Sequence, residues 1–232
     1  CVPIALALEE IGITRWEKKG GRSKSLFEKP PKPSVGKYVM ITGDKQLSPS
    51  NKKELNACTD SENINGEKVK VIIISRAGSE GLDFKNIRQV HILEPWYNMN
   101  RADQTIGRAV RNKSHCDLPF LKRNVEIFLY GSQLLNREIE PIDLYVYRLA
   151  EKKSIQIGKI TRLLKENAVD CLLNINQQDF IETSMNKQVD LELSTGEKIK
   201  FDVGYKSNSI ICDFMNCEYN CNPNSSIDED TS

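Results

Sequence analysis

Two short stretches of the 232-residue chain hold side chains that could do chemistry together. The first is Ser75-Arg76-Ala77-Gly78-Ser79-Glu80-Gly81-Leu82-Asp83, a Gly-Leu-Asp loop that ends an apolar run. The second, Gln104-Thr105-Ile106-Gly107-Arg108-Ala109-Val110-Arg111, begins 21 residues after Asp83. Arg108 and Arg111 stand three apart, and on a helix that spacing puts both guanidinium groups on one face, about one turn apart. Gln104 lies one turn earlier on the same side. Gly107 has no side chain, so another backbone or a ligand can approach closely. Asp83, after the Gly81 turn, offers a carboxylate suited to ribose hydroxyls or to orienting an arginine. Two fixed cations serve phosphoryl transfer, in which charge builds on the transferred phosphate and on the leaving oxygen.

Strands and helices must position these groups. Val69 to Ile74 is a continuous β-branched run, the pattern of a central parallel strand covered on both faces. Val90 to Leu93 is the next strand, closed by Glu94-Pro95, and Asn98 or Asn100 can cap a helix carrying Gln104 to Arg111. Upstream, Tyr38 to Thr42 reads as a buried strand ending in Gly43-Asp44. Ser48-Pro49 then supplies an N-cap and a first-turn proline for a helix running towards Cys58. Val125 to Tyr130 is a further strand. Strands alternating with helices at this pitch predict an α/β domain with a mainly parallel sheet flanked by helices.

The flanks differ in character. Val2 to Gly12 reads as a helix end with Gly12 as C-cap, and the start at Cys1 points to a fragment with sequence upstream. Residues 15–36 are rich in Gly, Pro, Lys and Ser and predict an exposed loop. Residues 143–168 show helical spacing of apolar residues, one or two long amphipathic helices. Short β-like pieces follow at Val189–Leu193 and Ile199–Val203, and residues 222–232 are polar, acidic and expected to be disordered. The expected organisation is therefore 1–14, the end of a helix; 15–36, a loop; 37–140, the α/β domain; 141–178, a helical extension; and 179–232, a polar Cys-containing tail.

Composition narrows the partners. With 33 basic and 32 acidic residues there is no global basic field, so any nucleic-acid contact must be local. No run is long and apolar enough to span a membrane. Seven cysteines without a secretory signal predict reduced, intracellular thiols. Cys212, Cys217 and Cys221 fall short of the four ligands zinc prefers, with Cys171 or a residue elsewhere as a conceivable fourth, and no metal site is assigned. His91, between apolar residues, is expected to be packed, and His115 to make a structural hydrogen bond.

Ser75–Asp83 resembles motif V, and Gln104–Arg111 motif VI, of the superfamily-two helicases and nucleic-acid translocases. Ile41-Thr42-Gly43-Asp44 is similar to the Gly-Asp turn that precedes motif V in those proteins. Gly-Leu-Asp-Phe-Lys-Asn-Ile-Arg-Gln-Val-His-Ile-Leu-Glu-Pro-Trp-Tyr-Asn-Met and Gly-Arg-Ala-Val-Arg-x-x-Ser-His-x-x-Leu-Pro look like the helicase-type ATPases of large cytoplasmic DNA viruses, the group of the nucleoside triphosphatase I and early transcription factor small subunit proteins. The resemblance implies that residues 37–131 form the second of two RecA-like domains. It implies arginine fingers at Arg108 and Arg111, a γ-phosphate contact at Gln104, nucleotide contacts at Gly81, Asp83 and Gly107, and nucleic-acid backbone contacts at Thr42, Gly43 and Ser75. It also implies ATP and Mg2+ as cofactors, a DNA or RNA strand and a viral RNA polymerase as partners, and a site of action in the host cytoplasm or virion. One departure is large: no Gly-x-x-x-x-Gly-Lys-[Ser/Thr] occurs. The nucleotide would be held mainly by an N-terminal RecA-like domain outside this sequence, and this chain alone is expected not to hydrolyse ATP. The competing expectation is a non-catalytic nucleic-acid or polymerase-binding module that retains the motor fold. A hydride-transfer enzyme is disfavoured, because Gly43-Asp44 is not the Gly-rich loop such a fold needs after its first strand.

Overall fold

Alternate residues of one short strand face opposite cores. In the computed structural model, which describes residues 1–16, 26–27, 36–75, 82–134, 139–175, 188–204 and 206–222, strand β2 (Lys37–Ile41) buries all four residues after Lys37. Val39 and Ile41 pack against Ala57 and Cys58 of helix α2 (Asn51–Thr59), with Val69 and Phe84. Tyr38 and Met40 pack on the other side against Ala5 of helix α1 (Val2–Glu10), with Ile73. β2 lies between β1 (Thr14–Arg15) and β3 (Val71–Ile74), all three parallel. The two-sided burial expected of Val69–Ile74 thus belongs to β2. β3 is the outer strand of its sheet, and Ile73 is its buried residue.

β1 is two residues long, and among the described residues it leaves part of β2 without a strand neighbour on that side. Glu54 fills the gap: one carboxylate oxygen accepts the Met40 N–H at 3.1 Å and the other accepts from Arg15 at 2.9 Å. Arg15 and Glu54 are both buried. The stretch 15–36, expected as an exposed loop, therefore opens on a buried ion pair; residues 17–25 and 28–35 lie outside the described residues. Ser48 departs from expectation too. It does not cap α2, which starts only at Asn51. Its hydroxyl is buried at the end of β2, where it accepts the Thr42 N–H at 2.9 Å.

The chain divides into two compact units, residues 1–88 with 105–125, and residues 89–104 with 126–232. The boundary passes through helix α3 (Met99–Ala109), between Gln104 and Thr105. The second unit contains the parallel pair β4 (Gln89–Ile92) and β5 (Glu126–Leu129), the helices α4 (Ile142–Glu166) and α5 (Cys171–Asn174), and an antiparallel hairpin, β6 (Gln188–Glu192) with β7 (Lys198–Asp202). The protein is a mixed α/β fold of parallel sheets flanked by helices, consistent with a RecA-like domain. Its parallel strands are distributed over a three-stranded and a two-stranded sheet.

In the second unit, α4 is a single helix of 25 residues. Segment 206–222 grips its C-terminal half. Arg162 is buried, bonds Asp213 at 3.1 Å, and donates to the carbonyls of Cys212 and Asn216 at 2.8 Å each. Lys165 reaches the same carboxylate at 2.8 Å. Gly158 makes this approach possible, because a Cβ there would stand 2.4 Å from the Asp213 carbonyl oxygen. Two disulfides, Cys171–Cys221 and Cys212–Cys217, close the segment. That corrects the expectation of reduced thiols throughout: four of the seven cysteines are paired, and Cys1, Cys58 and Cys116 are free.

Candidate functional site

The loop end Leu82–Phe84 meets the end of α3 within the first unit. The Phe84 N–H donates to the Arg108 carbonyl at 3.3 Å, and the Arg108 guanidinium donates to the Leu82 carbonyl at 3.2 Å. The Arg111 guanidinium pairs with the Asp83 carboxylate. Both members of that pair face solvent, with 54% of the arginine and 66% of the aspartate side chain exposed. Three residues singled out from two separate stretches of sequence thus converge.

Arg111 does not sit on the helix, however. α3 ends at Ala109, and Val110 makes its final helical bond, to the Ile106 carbonyl at 2.9 Å. The Arg111 N–H turns instead to the Ser114 hydroxyl at 3.2 Å. The three-residue helical spacing therefore does not set the direction of Arg111; the turn after the helix and Asp83 do. Among the described residues a Cβ at Gly107 would meet nothing within 4 Å, which leaves room beside Arg108 for an approaching group. Gln104 is exposed on α3, four residues before Arg108 and across the unit boundary. Its neighbour Asp103 has its carboxyl pKa raised by burial. Gly81 lies outside the described residues.

Thr42, Gly43 and Ser75 gather at the carboxyl ends of β2 and β3. Ile41 is in register with Ile74, and the Ser75 N–H donates to the Ile41 carbonyl at 3.1 Å. Ligands of open α/β sheets bind at this edge. Gly43 is exposed. Thr42 is buried, and its hydroxyl meets the Ser48 hydroxyl and accepts from the Asp44 N–H at 3.2 Å. Its side chain therefore shapes the turn that presents Gly43.

Sequence reading passed over Ser114, which is buried and hydrogen-bonded to the turn after α3. The signal lay in Arg-x-x-Ser-His, where a small hydroxyl follows a helix end by a few residues. His115 makes the structural hydrogen bonds expected of it, to Ser114 and to the Ile87 carbonyl, both at 2.7 Å. His91 does the reverse of its expectation. It is exposed, stacked on Phe128 with ring centroids 4.8 Å apart. Its apolar neighbours Val90 and Ile92 point to the opposite face of β4, as strand alternation requires.

Among the described residues no cluster of His, Cys, Asp or Glu is placed to hold a metal. Cys212, Cys217 and Cys171, weighed as zinc ligands, are paired in disulfides. The arrangement offers two guanidinium groups and one carboxylate at the end of the loop, a set suited to addressing phosphate oxygens.

Residues 31–113 match the family described as helicase conserved C-terminal domain. The chain is 34% identical over 233 residues to "Putative helicase 087L" of Invertebrate iridescent virus 3, covering 99% of this chain and 21% of that protein. It is 35% identical over 167 residues to "Putative ATP-dependent RNA helicase R350" of Acanthamoeba polyphaga mimivirus, covering 66% of this chain and 20% of that one. It is 34% identical over 150 residues to "Termination factor NPH-I homolog" of African swine fever virus, covering 60% and 21% respectively. The chain spans about a fifth of the length of these curated relatives.

Proposed function

The chain carries a superfamily-two helicase C-terminal domain related to those of large DNA viruses, and on that premise we propose that it supplies the arginine fingers and strand contacts of an ATP-driven nucleic-acid motor. The observation that carries this reading is the convergence of Arg108, Arg111 and Asp83 at the end of the Gly-Leu-Asp loop.

The chemistry follows from the strength of the present contacts. Arg108 donates to a neutral carbonyl, and Arg111 is held by an ion pair in water. A solvent-exposed pair of this kind contributes only about 0.2–1 kcal/mol. A triphosphate presented by a partner RecA-like domain would bring several negative charges and displace both contacts. Asp83 would then be released to a ribose hydroxyl or keep Arg111 oriented from behind. Gln104 would address the γ-phosphate or the attacking water, with Gly107 leaving room, and Gly81 keeps its assignment as a nucleotide contact. The residues of this chain fit the phosphates of ATP, whereas Mg2+ and most of the nucleotide fall to the partner domain. Bound ATP with its Mg2+ supplies the scissile phosphoanhydride; the chain's own part is to neutralise the charge that develops there.

Gly43 and Ser75, at the edge of the sheet, are assigned to the phosphate backbone of a DNA or RNA strand. Closure of two RecA-like domains on ATP, and their reopening after hydrolysis, would step the protein along that strand. The relative named as a termination factor makes transcription the setting we favour, with a viral RNA polymerase as partner and the host cytoplasm or virion as the place.

The test is nucleic-acid-stimulated ATP hydrolysis by the full-length protein. Arg108→Ala and Arg111→Ala should each lower turnover by on the order of 10³-fold or more, with nucleic-acid affinity retained. Unchanged turnover in both variants would favour a non-catalytic binding module. The isolated 232-residue chain should show no stimulated hydrolysis.

A further inference from the structure

We propose that Ser114 and His115 are positioning residues, a clamp that fixes the end of the finger helix to the loop after Asp83 and so sets where Arg108 and Arg111 reach. The proposal rests on the reading of those arginines as phosphate-facing groups.

The contacts form a ladder between residues 82–87 and 108–115. On the first side, Phe84 N–H bonds the Arg108 carbonyl and the Arg108 guanidinium bonds the Leu82 carbonyl. On the second, Asn86 N–H bonds the Ser114 carbonyl at 2.9 Å, and His115 bonds the Ile87 carbonyl at 2.7 Å. A carbonyl oxygen only accepts, so Nε2 of His115 carries a proton. In the neutral ring Nδ1 is then an acceptor facing the Ser114 hydroxyl at 2.7 Å. Ser114 Oγ is the centre of the arrangement. It accepts the Arg111 N–H at 3.2 Å and lies 3.1 Å from the Ala109 carbonyl, the last residue of α3. One buried hydroxyl therefore accepts from the backbone of Arg111 and donates to the histidine, beside the last carbonyl of α3.

The Arg108 and Arg111 guanidinium groups are anchored to the Leu82 carbonyl and the Asp83 carboxylate, while at the backbone Arg108 is held by Phe84 and Arg111 by Ser114. A finger acts only when its guanidinium meets the developing charge within a narrow geometry, and a misplacement of about 1 Å costs on the order of 10²-fold in rate. Loosening the far end of the ladder leaves every charge in place but lets that geometry drift. The loss should therefore appear in kcat rather than in KM for ATP.

The experiment uses the full-length protein with Ser114→Ala, Ser114→Thr, His115→Ala and His115→Gln. Amide hydrogen exchange is read at Asn86, Arg111 and Met40, alongside stimulated ATPase. Ser114→Ala should speed exchange at Asn86 and Arg111 at least tenfold while Met40, in the core strand, is unchanged, and should lower kcat about 10- to 100-fold with KM within twofold. Ser114→Thr, which keeps the hydroxyl, and His115→Gln, which keeps a donor for the Ile87 carbonyl, should recover most of the loss seen in their alanine counterparts. Equal acceleration at Met40 would mean general destabilisation and would overturn the proposal. So would faster exchange at Arg111 with kcat unaltered. Arg108→Ala run in parallel separates the failures: full turnover in that variant overturns the parent reading, whereas a crippled Arg108→Ala beside a fully active Ser114→Ala overturns only the clamp.

Discussion

Among the described residues, two Arg–Asp pairs of the same chemistry stand in opposite settings. Arg111 and Asp83 meet in solvent, each with more than half its side chain exposed. Arg162 and Asp213 meet with only 7% and 6% exposed. The buried arginine is also saturated, since it donates to three backbone carbonyls and lies under the Tyr219 ring at 4.8 Å. Water competes for the first pair and is excluded from the second. The difference separates a contact that can be exchanged for a ligand from one that holds a segment on a helix. Exposure, rather than the identity of the residues, is what leaves Arg111 accessible for the phosphate-facing role proposed for it.

The sharpest way to break this comparison is to remove one partner of the buried pair. Asp213→Ala leaves Arg162 buried with only neutral acceptors and should destabilise the second unit by about 3–5 kcal/mol, measured by urea denaturation of the oxidised protein. A loss below about 1 kcal/mol, the range of exposed pairs, would erase the distinction. The disulfides come next. Cys171–Cys221 closes a loop of 50 residues and Cys212–Cys217 one of 5. Loop-closure entropy then assigns about 4 kcal/mol to the first and about 2 to the second. Under oxidising conditions the Cys171→Ser, Cys221→Ser double variant should lose more stability than the Cys212→Ser, Cys217→Ser double variant. The reverse order would show that the small ring, whose carbonyls receive Arg162, holds the segment.

Gly158→Ala probes the same contact from the helix side with two opposed effects. Alanine gains about 1 kcal/mol over glycine within a helix. Its Cβ would stand 2.4 Å from the Asp213 carbonyl oxygen, and forced overpacking costs about 1–3 kcal/mol. A net loss is expected, and the double variant Gly158→Ala, Asp213→Ala should show less than the sum of the single losses, because one segment bears both. Full additivity would mean that the glycine and the ion pair act on different parts of the fold.

What could be read from the sequence was local. The Gly-Leu-Asp loop, Gln104 to Arg111, and the strands around Val39, Ile73, His91 and Ile127 all announce themselves within a dozen residues. The stabilising pairs do not: Arg15 meets Glu54 across 39 residues and Arg162 meets Asp213 across 51. Nothing in the spacing of either arginine says that it will be buried. Ser48 and Arg111 were misread for a related reason. Each sat in good local context, before a proline and on a helical period. Each was captured by a group outside that context, Ser48 by the end of β2 and Arg111 by Ser114 and Asp83. Arg108 lies on α3, as its spacing indicates, because its helix alone carries it.

Asp83→Ala is expected to give the smallest effect, and it decides the comparison from the other side. Removing the carboxylate deprives Arg111 of its partner, but the guanidinium is already solvated and its backbone remains held by Ser114. The stability change should stay within about 0.2–1 kcal/mol and shrink further in 0.5 M salt, since exposed pairs are screened there. Asp213→Ala should keep its penalty at the same salt concentration, because its partner lies beyond the reach of counterions. A salt-independent loss in Asp83→Ala would mean that the carboxylate organises the loop after Gly81 in the way Asp213 organises the segment on α4. Arg111 would then have to break a structural contact before it could meet a phosphate.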